Sequence, residues 1–194
     1  AQSAGYATGV FGKWHLGDHY QFLPMRHGFT EFFGIPYSND MWPFHPRMPV
    51  TPDEDPRLTA ARERAEFTGY AGQGNPFPLG EGFPNLPLYD GDAIVEFNSD
   101  QSTFTRGMVD RAIDFIERHS TQKFFAYIPL PAPHVPLHPA AEFVGTSARD
   151  LYGDTVQEID FHVGRILDKL VELGIDDNTL VIFASDNGPW LQYG

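Results

Sequence analysis

The stretch ATGVFGKWHLG, from Ala7 to Gly17, joins an apolar run to a group of cationic, aromatic and imidazole side chains. The apolar half is typical of a buried strand, which we predict over Thr8–Lys13. If the strand continues to His15, the side chains of Lys13 and His15 point to the same face. Such a pair beside glycines, which permit close approach, suits an anionic group. A surface lysine with a hydrogen-bonded histidine is the alternative interpretation.

Composition limits the classes of protein to which the chain can belong. The 194 residues are about one domain long, and 41% are hydrophobic, which is enough for a sizeable core. The net charge of −13 argues against non-specific binding to nucleic acid or to an anionic membrane. Cysteine is absent, which excludes disulfides and thiolate zinc sites. No apolar run is long enough to span a membrane, and the first residues lead us to expect no signal peptide in this stretch.

The pattern of apolar residues predicts an α/β fold. A strand, a long helix and a second strand follow one another with short connections, which is a βαβ unit and implies parallel strands. Residues 41–88 form a long proline-rich connection in which only Leu58–Phe67 could hold a short helix. The predicted elements are strands over Glu31–Gly34, Phe124–Pro129 and Leu180–Ala184, and helices from Asp100 or Ser102 to His119 and over Leu151–Leu173.

Polar side chains follow three predicted strands at their carboxyl ends. Lys13 and His15 follow the first, His134 follows the next, and Asp186 with Asn187 follows a third. Because open α/β sheets bind ligands at this edge, these sets indicate one cleft. The adjacent oxygens of Asp186 and Asn187 suit Ca²⁺ or Mg²⁺. The alternatives are an Asp-Asn-Gly turn and an ordinary loop histidine.

The long second helix is expected to bury an apolar face and to expose its acidic residues. Glu158 and Asp160 are predicted on the solvated face, and no role is assigned to the five histidines His27, His45, His119, His138 and His162. The predicted apolar face comprises Val156, Ile159, Val163, Ile166, Leu167 and Leu170.

Four sequence blocks resemble the type I sulfatases of the alkaline-phosphatase superfamily, and the arylsulfatase group most. Gly5–Asp18 is similar to the second signature of that family. The other blocks follow in the family's order: FGIPYSND at Phe33–Asp40, the strand and APHVP at Phe124–Pro136, and VIFASDNGPW at Val181–Trp190. The resemblance implies a mostly parallel central sheet with helices on both faces. Residues 1–194 would be part of the catalytic domain, truncated at both ends, with 41–88 as a loop-rich insertion.

The resemblance also implies roles for individual residues. Lys13 would bind the sulfate and the oxygen of the nucleophile, and His15 would assist breakdown of the covalent intermediate. His134 would bind sulfate and protonate the leaving alcohol, and Ser38 would contact the sulfate. Asp186 and Asn187 would be two ligands of one Ca²⁺ or Mg²⁺ ion.

The chain departs from the family where other functional residues are expected. The C/S-x-P-x-R signature that yields the formylglycine nucleophile is absent, as are an aspartate pair of the metal site and a later Gly-Lys-Gly lysine. We therefore expect a fragment that is inactive alone, binds Ca²⁺ weakly and exposes a sheet edge. Family habit implies that the full-length protein is exported to the periplasm, the lysosome or the exterior.

Two other functions remain open from the sequence. One is a phosphodiesterase or phosphonate hydrolase of the same superfamily, whose two-metal relatives generally place histidine where Asn187 stands. The other is a non-catalytic remnant with a binding role. For a sulfatase, the substrate class would be a small sulfate ester or a sulfated carbohydrate.

Overall fold

A computed structural model describes residues 1–41 and 85–188, which contain a five-stranded mixed sheet. The strand order is β4-β3-β2-β1-β5. The central strand β1 pairs in parallel with β2 and β5, whereas β2–β3 and β3–β4 are antiparallel. The elements are β1 Ala7–Lys13, β2 Glu31–Ile35, β3 Pro87–Asp90, β4 Ala93–Phe97, α1 Phe104–Arg118, β5 Phe124–Tyr127 and α2 Asp150–Glu172. The α/β class is confirmed, and the β3–β4 hairpin adds antiparallel strands to one side of the sheet.

Both described helices cover the same face of the sheet. Phe11 of β1 points to that face, where its ring lies 5.3 Å from the ring of Phe115 in α1, and Leu170 of α2 joins the same cluster. The preceding residue, Val10, points to the opposite face. That face is covered by the segment between β1 and β2, which supplies Trp14 and Leu23 to the core. Alternate residues of β1 therefore support two apolar layers.

The first predicted helix is confirmed. Asp100 begins it by accepting a hydrogen bond from the backbone N–H of Ser102 at 3.0 Å, and a short 3-10 turn leads into α1. The helix ends at Arg118, next to the predicted His119. Its buried residues are Phe104, Thr105, Met108, Val109, Ala112, Phe115 and Ile116.

The prediction that Glu158 faces solvent is wrong. Helix α2 has the expected length, but Glu158 is only 1% exposed, while Val156, which was predicted to be buried, is 42% exposed. The reason is that the first half of α2 packs against the 131–147 segment, whose backbone N–H groups need acceptors. Glu158 accepts from Ala140 at 3.0 Å, and Asp154 accepts from Gly145 and Ser147 at 2.8 Å each.

The predicted buried strand Leu180–Ala184 is also wrong for the described structure. Leu180, Ile182 and Phe183 are 86%, 80% and 75% exposed, and none of the five strands pairs with them. A strand needs a neighbouring backbone for its hydrogen bonds, and the described residues offer this segment none. The predicted helix at Leu58–Phe67 and most of the 41–88 connection lie outside the described residues; β3 begins near its end, at Pro87.

Close backbone approach at Gly12 gives a first prediction. A Cβ at this position would overlap the carbonyl oxygen of Pro129, so Gly12→Ala must push the end of β1 away from the segment after β5. We expect a loss of about 1–3 kcal/mol of stability, as for other overpacked sites. Gly164 lies in α2 with no atom within 4 Å of its Cβ position, so Gly164→Ala should stabilise by about 0.5–1 kcal/mol.

The measurement is the thermal unfolding midpoint of the full-length protein that contains this chain. A Gly12→Ala midpoint at or above that of the parent protein would contradict the prediction, and Gly164→Ala serves as the matched glycine control.

The buried carboxyl of Glu158 gives a second prediction. The pKa of Glu158 is raised to about 7, chiefly by burial and in smaller part by Glu142, whereas the Ala140 N–H and Arg106 lower it. Between pH 4.5 and 7 the folded state therefore holds a proton that the unfolded state has released, so this group's contribution to stability falls as pH rises. Glu158→Gln removes this pH dependence. Across the range, the change in the free energy of unfolding is no more than about 3 kcal/mol.

The melting temperature of Glu158→Gln, compared with that of the parent protein at the same pH, should be higher at pH 8 than at pH 5. An equal pH dependence in both proteins would show that the carboxyl titrates normally. The pKa of His162 is lowered by burial, so the contribution of His162 to stability rises with pH. This residue is present in both proteins.

Candidate functional site

The end of β1 lies between the two segments that follow β2 and β5. Lys13 is the last residue of β1, and its backbone N–H donates to the carbonyl of Pro129 at 2.6 Å. The chain then runs beside the end of β2, because Trp14 and His15 donate their N–H groups to the carbonyls of Ile35 and Pro36 at 2.9 and 3.0 Å. These bonds place the side chains that follow three strands at one edge of the sheet.

His15 does not belong to the strand, although the argument from side-chain alternation assumed that the strand might reach it. β1 ends at Lys13, and His15 has a left-handed backbone conformation with φ of 57°. Its exposed ring lies edge-on to the ring of Tyr37, with a centroid distance of 4.5 Å. The turn and this ring contact, and not strand alternation, set the direction of the imidazole.

His134 lies in the irregular segment after β5 and is partly buried. Its backbone N–H donates to Pro131 at 3.1 Å, and its Nδ1 lies 2.6 Å from the carbonyl oxygen of Val135. Because a carbonyl oxygen only accepts, Nδ1 carries a proton, and Nε2 is the nitrogen at which a second proton can be gained or lost.

Asp186 and Asn187 lie in an exposed turn after the extended 180–184 segment. The turn is closed by Gly188, whose N–H donates to Ser185 Oγ at 3.1 Å and whose φ of 80° favours glycine. The side-chain oxygens of both residues are therefore presented at the surface.

The charged groups that shift the pKa of His15 come from each of the three sets of polar residues. Partial desolvation of the ring lowers the pKa of His15, and the positive charge of Lys13 lowers it further. Asp40 and Asp186 raise the same pKa, and His134 lowers it. Charges act on one another this way only over short distances, so these side chains occupy one region. The imidazole of His15 is consequently neutral near pH 7.

Ser38 lies on the turn beside this region but is buried. It is 3% exposed, and its hydroxyl oxygen has no hydrogen-bond partner among the described residues. Sequence reasoning missed two residues of this region. Tyr37 contacts the ring of His15, and the charge of Asp40 raises the pKa of His15. Both lie in the FGIPYSND block, whose position after a predicted strand was the available signal.

The described residues fit part of a divalent-cation site. Ca²⁺ takes six to eight oxygen ligands, and a carboxylate with a neighbouring amide is suitable chemistry for two of them. Within residues 1–41 and 85–188, no group of three or more His, Asp or Glu side chains could hold a metal ion. Asp186 and Asn187 therefore need further ligands from elsewhere.

Comparison with known proteins identifies the family. The sequence profile of the Sulfatase family matches residues 1–194. The chain belongs to the sulfatase family. Arylsulfatase G of Rattus norvegicus is 38% identical over 199 residues, which cover 98% of this chain and 35% of that protein. Human N-acetylgalactosamine-6-sulfatase is 33% identical over 189 residues, 96% of this chain and 31% of that protein.

Solved structures agree with the fold of this sulfatase chain. A protein described within the metabolism of multiple glycosaminoglycans by Bacteroides thetaiotaomicron aligns with a TM-score of 0.68 and 26% identity, over 97% of this chain and 44% of that one. The PsFucS1 sulfatase from Pseudoalteromonas sp. aligns with a TM-score of 0.67 and 21% identity, over 89% of this chain and 34% of that one.

The sulfatase chain spans about a third of the length of the curated relatives it matches, 35% and 31% of the two named above. None of the helices in the described residues has the length and apolarity needed to cross a bilayer.

The charges around His15 give a third prediction. Lys13→Met removes a cation that lowers the pKa of His15, so that pKa should rise. Asp40→Asn removes an anion that raises it, so the pKa should fall. NMR titration of the full-length protein, labelled at the histidine ring carbons, measures both changes.

The matched control is Asp18→Asn, which removes an exposed carboxylate three residues from His15 that does not act on its charge. Equal effects of Asp18→Asn and Asp40→Asn would refute the described geometry.

Proposed function

We propose that the full-length protein containing this chain hydrolyses sulfate esters at the carboxyl edge of the sheet. The observation that carries the proposal is the packing at the end of β1, where Lys13 bonds to Pro129 and His15 bonds to Pro36. Lys13, His134 and Asp186, which are far apart in sequence, all act on the charge of the His15 imidazole there. Membership of the sulfatase family supports the same reaction.

Lys13 and His134 supply the groups that a sulfate ester requires. The Lys13 ammonium, held at the end of β1, attracts the sulfate oxygens. The ring of His134 is oriented by its Nδ1–H bond to Val135, so its protonated Nε2 can donate to the oxygen of the departing alcohol. Protonating that oxygen matters because a poor leaving group departs slowly as an anion.

His15 has the properties of a base. Its lowered pKa keeps the imidazole neutral near pH 7, so it can accept a proton in the step that releases sulfate. Asp186 and Asn187 would supply two oxygen ligands to a Ca²⁺ or Mg²⁺ ion. That ion would balance charge on the sulfate, and a formylglycine from outside residues 1–194 would supply the nucleophile.

The substrate class that we propose is a sulfated carbohydrate. The relatives that support it are N-acetylgalactosamine-6-sulfatase, by its name, and the Bacteroides protein, by its connection with glycosaminoglycan metabolism. A small sulfate ester is the simpler substrate for assays. Export of the full-length protein is proposed on the same family basis.

The fourth prediction concerns the full-length protein, expressed from the reading frame that contains this sequence. We expect sulfate release from 4-nitrophenyl sulfate and from 6-sulfated N-acetylgalactosamine, and loss of both on removal of the divalent cation by a chelator. His134→Ala should lower kcat by about 10²–10⁴-fold for the sugar sulfate, because that leaving group needs an acid. The loss for 4-nitrophenyl sulfate should be smaller.

His19→Ala is the control, since that histidine is exposed and the proposed mechanism gives it no role. A full-length protein without sulfate release from either compound would refute the proposal and favour a non-catalytic remnant. Residues 1–194 alone should release no sulfate and bind Ca²⁺ weakly, because the family resemblance places the nucleophile and the remaining metal ligands outside these residues.

A further inference from the structure

Asn39 is a buried asparagine in the short turn that follows β2. It is 3% exposed and lies between Ser38 and Asp40. Its side-chain amide donates to Gln101 Oε1 at 3.2 Å, and Gln101 Nε2 donates back to the carbonyl oxygen of Asn39 at 3.0 Å. This two-way pairing joins the turn to the start of the α1 region and leaves the side chain of Asn39 little freedom.

The same amide nitrogen reaches the segment that carries His134. It lies 3.5 Å from the carbonyl oxygens of Val135 and Pro136, the two residues after His134. The Val135 carbonyl also accepts the Nδ1–H of His134 at 2.6 Å. One carbonyl oxygen therefore joins a fixed asparagine to the ring of the proposed acid.

The segment that carries His134 borders a small cavity. A cavity of about 20 Å³ lies between the segment and α2, and its lining includes Asn39, His134, Thr155 and Glu158. Where side chains do not fill the space, polar contacts hold the backbone. Asn39 supplies such a contact next to His134, whereas Glu158 holds the more distant Ala140.

We propose that Asn39 is a positioning residue for His134. By holding the Val135 carbonyl, it fixes the proton on Nδ1 and aims Nε2 at the leaving oxygen, while its own buried amide faces Gln101 and this backbone. The role rests on the proposed sulfatase function. A displacement of about 1 Å at a reacting group is enough to cost about 100-fold in rate, so the contact has consequences for catalysis.

A positioning role and a merely structural role make different predictions. A misplaced acid slows the release of a poor leaving group more than that of a good one, because only the poor one depends on protonation. A general loss of folded enzyme lowers both rates by the same factor. The ratio of the two kcat values therefore separates the two roles.

The test uses the full-length protein with Asn39→Leu, which keeps the size of the side chain and removes its amide. We expect kcat for phenyl sulfate to fall at least ten times more than kcat for 4-nitrophenyl sulfate. The control is Thr8→Val at the other end of β1. It removes the hydrogen bond that the Thr8 hydroxyl donates to Gly28 at 2.9 Å and the one that it accepts from the Thr30 N–H at 3.2 Å, and it should leave the ratio unchanged. Equal losses on both substrates would overturn the proposal.

Two further measurements keep the test decisive. Asn39→Ala replaces the leucine variant if that variant does not fold, with the same expected change in ratio. Crystal structures of the parent and variant proteins should show the ring of His134 displaced by about 1 Å or turned, and an unmoved ring would overturn the proposal. If the parent protein releases no sulfate, the proposed function fails, and the crystal structures alone decide whether Asn39 positions His134.

Discussion

The close approach of three backbones at the end of β1 is the constraint on which the site depends. The N–H of Lys13 bonds to Pro129 at 2.6 Å, and a Cβ on either Gly12 or Gly34 would overlap a backbone carbonyl of the adjacent strand or segment. Glycine is required where backbones come this near. Because the strands cannot separate there, the side chains that follow them emerge within a short distance of one another.

This proximity would let an acidic chain present the proposed site for an anion. The chain carries a net charge of −13, yet Lys13, His15 and His134 are gathered at one edge, with Asp40 and Asp186 as the neighbouring anions. In a cleft the local field governs binding more than the total charge. Desolvation of the ring and the charge of Lys13 outweigh the two carboxylates, so the imidazole of His15 is neutral near pH 7 and able to accept a proton.

Sequence reasoning succeeded where the local pattern was strong and failed where burial depended on a distant partner. The 3.6-residue period located both helices, and the glycine-flanked apolar run located β1. Glu158 was misplaced because a carboxylate on a helix looks solvated until the loop that needs it as an acceptor is known. The 180–184 segment was predicted to be a buried strand because it is apolar, but no strand among the described residues pairs with it or covers it.

The sequence by itself determined the α/β class, the candidates Lys13, His15, His134, Asp186 and Asn187, and the sulfatase resemblance. These follow from residue type, period and order along the chain, which are local properties. Only the tertiary structure decided that His15 leaves the strand and turns against Tyr37, that Asp40 lies within reach of its charge, and that Asn39 contacts the Val135 carbonyl. Those facts depend on which backbones pack together, and contacts between residues nearly 100 positions apart leave no periodic trace in the sequence.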